Sequence, residues 1–215
     1  MKIIHYGHAC VLLEFSTPKT TRILIDPGTY STGFESLRDL DALLFTHAHP
    51  DHIDMQRVPA LAQANPGMSI IADGGSAAVL TEHDVAHNVA TDGDSVKAGD
   101  IDVDVLSGDH AVIHCDLPNI SNNGYVIDGH TLHPGDAFVE SPDSVEILLL
   151  PVGGPWMKIG EAVDYLRRVR PRVVIPIHQA GLAEIHQNLH YGLLKNLGPD
   201  ECEVIVLEHG VAVTI

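Results

Sequence analysis

Residues 42 to 52 of the chain read Ala42-Leu43-Leu44-Phe45-Thr46-His47-Ala48-His49-Pro50-Asp51-His52. The first four residues form a short apolar run, which favours a buried strand. The rest supply three histidines and an aspartate, ligands that suit zinc, manganese and iron. His47 and His49 are two residues apart and point the same way, whereas Asp51 and His52 follow a turn. We therefore predict two neighbouring metal sites, one for each pair. A polar loop in a chain with 15 histidines is the alternative, but four ligand residues in six positions argue against it.

Three further ligand-type residues stand at the ends of strand-like runs downstream. His110 follows an alternating run, Asp136 stands in a Pro-Gly-Asp turn, and His178 ends an apolar run. Each could instead be a turn or core residue, and His114 is an alternative to His110. With these three residues, the His-x-His-x-Asp-His motif resembles the signature of the metallo-β-lactamase superfamily of metal-dependent hydrolases. The resemblance extends from about residue 1 to residue 215.

The resemblance implies a dinuclear metal site with seven protein ligands. It assigns them as His47, His49 and His110 on the first metal, Asp51, His52 and His178 on the second, and Asp136 bridging both through its two oxygens. The expected cofactors are two divalent metal ions, zinc or manganese. Two such ions can lower the pKa of a shared water to about 7 and polarise the bond under attack. Asp51 is therefore also counted as catalytic.

An aspartate upstream of the motif is a candidate support for a ligand. Asp26 follows Leu24-Ile25 and matches a strand-end aspartate that the family places beneath the histidine loop. Such a carboxylate would accept the free imidazole N–H of a ligand and fix its tautomer. An aspartate that only initiates the turn before Pro27 is the alternative.

Three more residues are candidates for contact with substrate. Gly7-His8-Ala9 resembles a segment of the branch that contains the bacterial L-ascorbate-6-phosphate lactonase. In that branch the N-terminal histidine lies near the metals, so His8 is expected to take part in catalysis and substrate binding. A structural hairpin histidine is the alternative. Trp156 and Lys158 are the other pocket residues that the sequence suggests.

Composition narrows the classes of partner. The chain has 215 residues, 45% of them apolar, and we expect one metallo-β-lactamase-like domain over residues 1–215. It has no apolar run approaching the roughly 18 residues that span a bilayer, and it opens without a signal peptide, so a cytoplasmic protein without membrane contact is expected. The net charge of −17 argues against a nucleic-acid partner, because neutralising phosphates needs clustered Lys and Arg. A small-molecule substrate is expected instead.

The strand and helix pattern alone predicts only a mixed α and β fold. Helices are expected at residues 55–64, 76–83, 159–169 and 182–194. The resemblance implies an α+β fold, the four-layer αββα sandwich. The predicted function is metal-dependent hydrolysis of a small ester, lactone or phosphodiester. A mono-iron oxidoreductase of the persulfide dioxygenase type and a non-catalytic scaffold are the alternatives.

Overall fold

Across residues 1–16 and 19–215, the part of the chain that the computed structural model describes, two seven-stranded β-sheets lie face to face. The strands are β1 (Lys2–His5), β2 (Val11–Phe15), β3 (Thr21–Ile25), β4 (Ala42–Phe45), β5 (Ser69–Ala72), β6 (Asn88–Val89), β7 (Ser95–Ala98), β8 (Ile101–Asp109), β9 (Ser121–Ile127), β10 (Thr131–His133), β11 (Ile147–Pro151), β12 (Val173–Ile177), β13 (Glu203–Val204) and β14 (Ala212–Thr214). The helices are α1 (Val58–Ala64), α2 (Gly74–Glu82), α3 (Ile159–Val169) and α4 (Glu184–Leu197), with a 3-10 helix at Phe34–Ser36.

Both sheets are mixed, with antiparallel and parallel neighbours. The first has the order β14-β1-β2-β3-β4-β5-β6, and the second has the order β13-β12-β11-β10-β9-β8-β7. β3 and β4 run parallel with Ile25 opposite Leu44, and β11 and β12 run parallel with Leu149 opposite Ile175. Parallel strands end at the same edge of a sheet, so the loops that follow them meet there.

The main core lies between the two sheets. Leu13, Ile23 and Leu44 of the first sheet belong to the same buried cluster as Tyr125 and Ile175 of the second. Their neighbours along each strand point to the opposite face, as the two-residue period of a strand requires. Burial of one such large side chain contributes about 1.5–3 kcal/mol.

Helices cover the outer face of each sheet. Leu61 of α1 and Leu80 of α2 pack in one cluster with the outward-facing leucines of β2, β3 and β4. Tyr165 of α3 and Leu194 of α4 pack against the outer face of the second sheet. The layers are therefore helix, sheet, sheet, helix, which confirms the predicted αββα sandwich. None of the helices in the described ranges has both the length and the apolar character needed to cross a membrane.

Several element boundaries differ from the sequence prediction. α3 spans Ile159–Val169 as predicted, but α1 begins at Val58 and not at residue 55. The Asp54 carboxylate is occupied in the preceding turn, where it accepts hydrogen bonds from the backbone of Gln56 and the guanidinium of Arg57. α2 starts earlier than predicted, at Gly74, and α4 runs Glu184–Leu197, later than predicted at both ends. The sequence Ser16-Thr17-Pro18-Lys19-Thr20 predicts a turn, and Thr17 and Pro18 of that turn lie outside the described residues.

Candidate metal centre

The predicted ligands meet at the edge of the sandwich where strands from both sheets end. Loop 46–52 follows β4, while His110 and His178 directly follow β8 and β12. Asp136 lies in the loop after β10, and His8 lies in the turn between β1 and β2. His8 and His178, which are 170 positions apart in the chain, thus face one space.

Their ligand atoms fall into overlapping groups, each with all its atoms within 4.8 Å of one another. These groups are His47, His49 and His110; His47, His52 and Asp136; and His8, Asp51, His52 and His178. The first and last contain the two predicted metal sites, and the middle one places Asp136 between them. The structure therefore brings all seven predicted ligands together, with His8 as an eighth neighbour.

A buried aspartate fixes two of the histidines in the loop after β4. One oxygen of Asp26 accepts the Thr46 N–H at 2.8 Å, and the other accepts the Thr46 hydroxyl at 2.6 Å and Nδ1–H of His52 at 2.7 Å. Because the Thr46 hydroxyl donates to Asp26, it is free to accept Nδ1–H of His47 at 2.9 Å. Both rings therefore carry their proton on Nδ1, which leaves Nε2 as a free ligand atom.

Main-chain carbonyls fix the two histidines that end strands of the second sheet. His110 donates Nδ1–H to the carbonyl of Ala111 at 2.6 Å. His178 donates Nδ1–H to the carbonyl of Gly153 in the loop after β11. Each ring again presents Nε2 to the centre.

Asp136 is held by an amide and an indole. Its backbone N–H donates to Oδ1 of Asn122 at 2.9 Å, and its Oδ2 accepts Nε1–H of Trp156 at 2.7 Å. Oδ2 lies 3.0 Å from Nε2 of His178, and Oδ1 lies 3.4 Å from Nε2 of His52. Oδ2 is also 3.5 Å from Nε2 of His110. The carboxylate therefore lies among ligands of both predicted sites, as a bridging ligand must.

His8 contacts the ligand set directly. Its Nδ1 accepts the Ala180 N–H at 3.3 Å, so the ring proton is on Nε2, which donates to Oδ2 of Asp51 at 2.9 Å. The ring lies 3.8 Å from that of His178. Burial lowers the pKa of His8 to about 4 despite the hydrogen bond to Asp51, so the imidazole is neutral near pH 7. Burial raises the pKa of the Asp51 carboxyl, but the His8 hydrogen bond and the His52 ring outweigh it and bring the pKa below its usual range.

Unsatisfied buried atoms test whether the residues suit a metal. The Nε2 atoms of His47, His52, His110 and His178, and Oδ1 of Asp136, are buried and make no hydrogen bond within the described residues. Burying a polar group without a partner costs about 1–3 kcal/mol, so five such atoms aimed at one space favour a common partner. Imidazole nitrogens and a carboxylate oxygen are the donor set of a zinc or manganese site. The residues fit divalent cations.

Electrostatics of the cluster agree with that fit. Burial lowers the pKa of His47 well below its usual range. Burial also disfavours charge on His52, but the carboxylates of Asp136 and Asp26 outweigh it and raise the pKa of that ring well above its usual range. For Asp136, burial raises the pKa, and the rings of His178 and His52 more than offset this, so the pKa lies well below its usual range. The carboxylates therefore favour positive charge at the centre, which a bound cation would supply in place of the proton on His52.

Three residues of the site have an unusual backbone conformation. His8, Asp26 and His178 adopt left-handed conformations, with φ of 51°, 47° and 61°. Non-glycine residues adopt this region uncommonly, and such strain concentrates at functional sites. Gly28 packs directly against the metal loop, since a Cβ there would lie 1.7 Å from the carbonyl oxygen of Asp51. A side chain at position 28 would therefore displace that loop.

Comparison with known proteins gives the family. Residues 2–178 match the family described as the beta-lactamase superfamily domain. The Mycobacterium tuberculosis protein Rv0786c is 42% identical over 216 residues, which cover 98% of this chain and 99% of that protein. The chain belongs to the metallo-β-lactamase superfamily. A UPF0173 protein of Pyrococcus furiosus is 31% identical over 201 residues, 86% of each chain.

A solved structure of another protein shows the same fold. The metallo hydrolase of Ignicoccus hospitalis superimposes with a TM-score of 0.75 at 22% identity, covering 99% of this chain and 97% of that one. Together with the family match, this likeness confirms the superfamily and the sandwich that the sequence motif predicted.

A cavity of about 500 Å³ opens beside the centre on the Asp51 side. Its walls include His8, Asp51 and His178 together with Tyr30 and Leu182. The volume suits a small molecule, since ligand pockets are typically about 300–1,000 Å³.

Two predicted pocket residues do not line this cavity. Trp156 is buried behind the ligands, where its indole binds Asp136, so its position is that of a support for a ligand. Lys158 is exposed at the N-terminal end of α3, and its backbone N–H donates to the side chain of Glu161 at 2.7 Å. The structure thus places His8, but neither Trp156 nor Lys158, where a substrate in the cavity could touch it.

Sequence reasoning did not single out Thr46 or Asn122 as parts of the site. Thr46 precedes the first histidine of the motif, and its hydroxyl links the Asp26 carboxylate to the His47 ring by two hydrogen bonds. Asn122 is fully buried at the start of β9 and holds both the Pro134 carbonyl and the Asp136 N–H. A Thr before a His motif is a weak local signal, and Asn122 gave none, because its partners lie 12 and 14 residues away across a sheet.

Proposed function

We propose that this member of the metallo-β-lactamase superfamily is a hydrolase that uses two divalent metal ions, zinc or manganese, to cleave a small ester, lactone or phosphodiester. The observation that carries the proposal is the convergence of five buried, unsatisfied ligand atoms on one space. Seven donors exceed the four that a tetrahedral zinc site uses. A complete second set, formed by Asp51, His52 and His178, also favours hydrolysis over a mono-iron oxidoreductase.

Different residues would have different roles in such a reaction. His47, His49 and His110 would hold one ion, Asp51, His52 and His178 would hold the other, and Asp136 would join them. Bound metals of this kind activate water and polarise the oxygen of the bond under attack. Asp26 and Thr46 keep two ligand rings in the tautomer that leaves Nε2 free.

His8 is the residue of the chain best placed to act on the substrate itself. It lines the cavity, is buried, and carries its proton on Nε2, the atom that faces Asp51. From there the N–H can donate a hydrogen bond to an oxygen that gains negative charge as the bond breaks, and so stabilise that charge without transferring the proton. The lactonase branch, the single domain over residues 1–215 and the cytoplasmic location stay predictions.

Metal content tests the central claim. Protein purified without chelator and then saturated with Zn²⁺ or Mn²⁺ should hold close to two ions per chain by elemental analysis. The loaded protein should hydrolyse at least one substrate in a screen of lactones, esters and phosphodiesters. A maximum of one ion per chain would contradict the dinuclear site, and oxidation of a persulfide by the iron-loaded protein would favour the alternative chemistry.

Substitution of His8 tests its role separately from metal binding. His8→Asn suits the left-handed backbone at this position but cannot place an N–H where Nε2 lies. We expect kcat to fall by roughly a hundredfold, the lower range for loss of a donor to a developing oxyanion, while metal content stays at the wild-type value. An unchanged kcat would mean that His8 only supports the fold.

A further inference from the structure

Lys and Arg are absent from the described residues that line the 500 Å³ cavity. Apart from the tyrosine, the ionisable residues that line it are His8, Asp51 and His178. The chain has 12 Lys and Arg residues against 29 Asp and Glu, and no Lys or Arg is among the lining residues in the described part of the chain. An anionic group on a substrate would therefore find no side-chain cation there.

Two cations that are near the lining residues in sequence do not reach the cavity. The Arg57 guanidinium binds the carboxylates of Asp54 and Glu35 and the carbonyls of Ser31 and Gly28. Those partners use its donors, so it is not available to a ligand. Lys158 is exposed and outside the cavity.

The wall away from the metal ligands is largely apolar. It consists of the Tyr30 ring, Pro50, Pro155, Leu182 and glycine backbone, with Thr29 as the polar exception. Leu182 is fixed in this wall because it packs on Gly153, where a Cβ would lie 2.8 Å from its side chain. Such a wall suits hydrocarbon and does not repay the desolvation of a charge.

The cavity on the other side of the centre has the same character. It has a volume of about 310 Å³, lies beside His49 and His110, and is lined by Val112, Ile113 and Leu117. Lys and Arg are absent from this lining as well. Both approaches to the centre, as far as the chain is described, are therefore without side-chain cations.

Resting on the proposed function, we infer that the part of the substrate that is not cleaved is apolar and carries no phosphate or other permanent anion. The apolar part lies against Tyr30 and Leu182, and the bond to be cleaved lies towards Asp51 and His178. This excludes sugar-phosphate lactones, whose phosphate is remote from the bond to be cleaved, from the wider set of possible substrates.

A pair of unreactive ligands tests the inference without turnover. An alkyl-substituted δ-lactam and the same lactam with a phosphomonoester at the end of its alkyl chain should be titrated calorimetrically into the metal-loaded protein. The uncharged lactam should bind at least about tenfold more tightly, because the phosphate loses hydration without gaining a partner. Equal or tighter binding of the phosphorylated lactam, for example through the backbone N–H groups of the glycine loops, would overturn the inference, as would no binding of the uncharged one.

A substitution that adds a cation to the cavity wall sharpens the test. Tyr30→Arg changes a residue that is 59% exposed, so the fold should tolerate it, and it should reduce the preference for the uncharged lactam by about tenfold. Tyr30→Phe, which keeps the ring and adds no charge, should leave the preference unchanged. Turnover of the matching lactones is measured in parallel. Its absence with two metals bound would count against the proposed hydrolase, while the lactam affinities still decide the charge of the ligand.

Discussion

The metal centre has two halves, one formed by the ligands in the loop after β4 and the other by the ligands that follow strands of the second sheet. The two halves are held in different ways. In the loop after β4, the rings of His47 and His52 depend on side chains, since Asp26 binds one directly and the other through Thr46. In the second sheet, His110 and His178 depend on main-chain carbonyls. A single substitution can remove the first kind of support, but no substitution removes a carbonyl.

The arrangement of ligands along the chain explains this difference. Four ligands of the first half lie within six residues, so one buried carboxylate can serve two rings. The ligands of the second half each stand alone at a strand end, where the nearest acceptor is the backbone. Asp136 is the exception in the second half, because Trp156 and Asn122 hold it by side chains. Substitutions at the ligand supports should therefore separate the halves.

The largest effect is expected from removing the carboxylate between them. Asp136→Ala should lower metal-dependent turnover by more than about a hundredfold, the upper range for loss of an outer support, because it removes a ligand of both sites. The fold should persist, since the side chain is not part of either apolar core. Turnover, metal content and circular dichroism check this. Activity within about tenfold of wild type would show that another residue bridges, or that one metal suffices.

The next effect concerns the first half alone. Asp26→Asn keeps the shape of the side chain but presents N–H donors to the Thr46 hydroxyl and the His52 ring, which then lose their acceptor. Metal affinity should fall by about 10- to 100-fold, as is typical for outer-shell partners of metal-bound histidines. Competition with a chromogenic chelator measures it.

Asp73→Ala is the matched control for that variant, because alanine removes the helix cap whereas asparagine would keep it. Asp73 is also buried, but it accepts the backbone N–H groups of Gly75 and Ser76 at the start of α2 and touches no ligand ring. Its loss should lower thermal stability and leave metal affinity within about twofold. Equal losses of affinity in both variants would mean that Asp26 acts only through folding.

The smallest of the three effects is expected in the second half, at Trp156. Trp156→Phe keeps an aromatic ring against Phe138, which lies 5.3 Å away, but removes the N–H that binds Oδ2 of Asp136. Metal affinity should fall by about tenfold, the lower end for an outer-shell partner, because the main-chain supports of His110 and His178 remain. Unchanged affinity would show that the indole only fills space.

Fluorescence gives an independent measure at the same residue. Trp156 is the one tryptophan in the chain, and its Nε1 lies 2.7 Å from the predicted bridging carboxylate. Its emission should change as metal is added to the wild-type protein and saturate with the occupancy measured by elemental analysis. A Phe138→Leu variant, which alters the neighbour but keeps the indole N–H, should retain the change.

The motif in the loop after β4 predicted both the local ligand chemistry and the fold of the whole domain. His47, His49, Asp51 and His52 are adjacent in sequence, so their chemistry could be read directly, and the superfamily they indicate predicted the sandwich. Long, strongly patterned elements such as α3 were also predicted correctly. The starts of α1 and α2 were not, because the Asp54 turn and the Asp73 cap compete locally with propensity.

The sequence by itself determined the ligand types, the order in which they occur and the superfamily, because these depend on residues that are close together or that end recognisable strands. Only the tertiary structure decided how the ligands are held. Asp136 is held by Trp156, which is 20 residues away in the chain, and by Asn122, which is 14 residues away. His178 is fixed by a carbonyl 25 residues away. Such contacts arise when strand ends of two sheets pack at one edge, and no local pattern specifies which side chain reaches that edge. The same packing placed Trp156 behind the ligands and Lys158 in solvent, where the sequence had suggested a pocket.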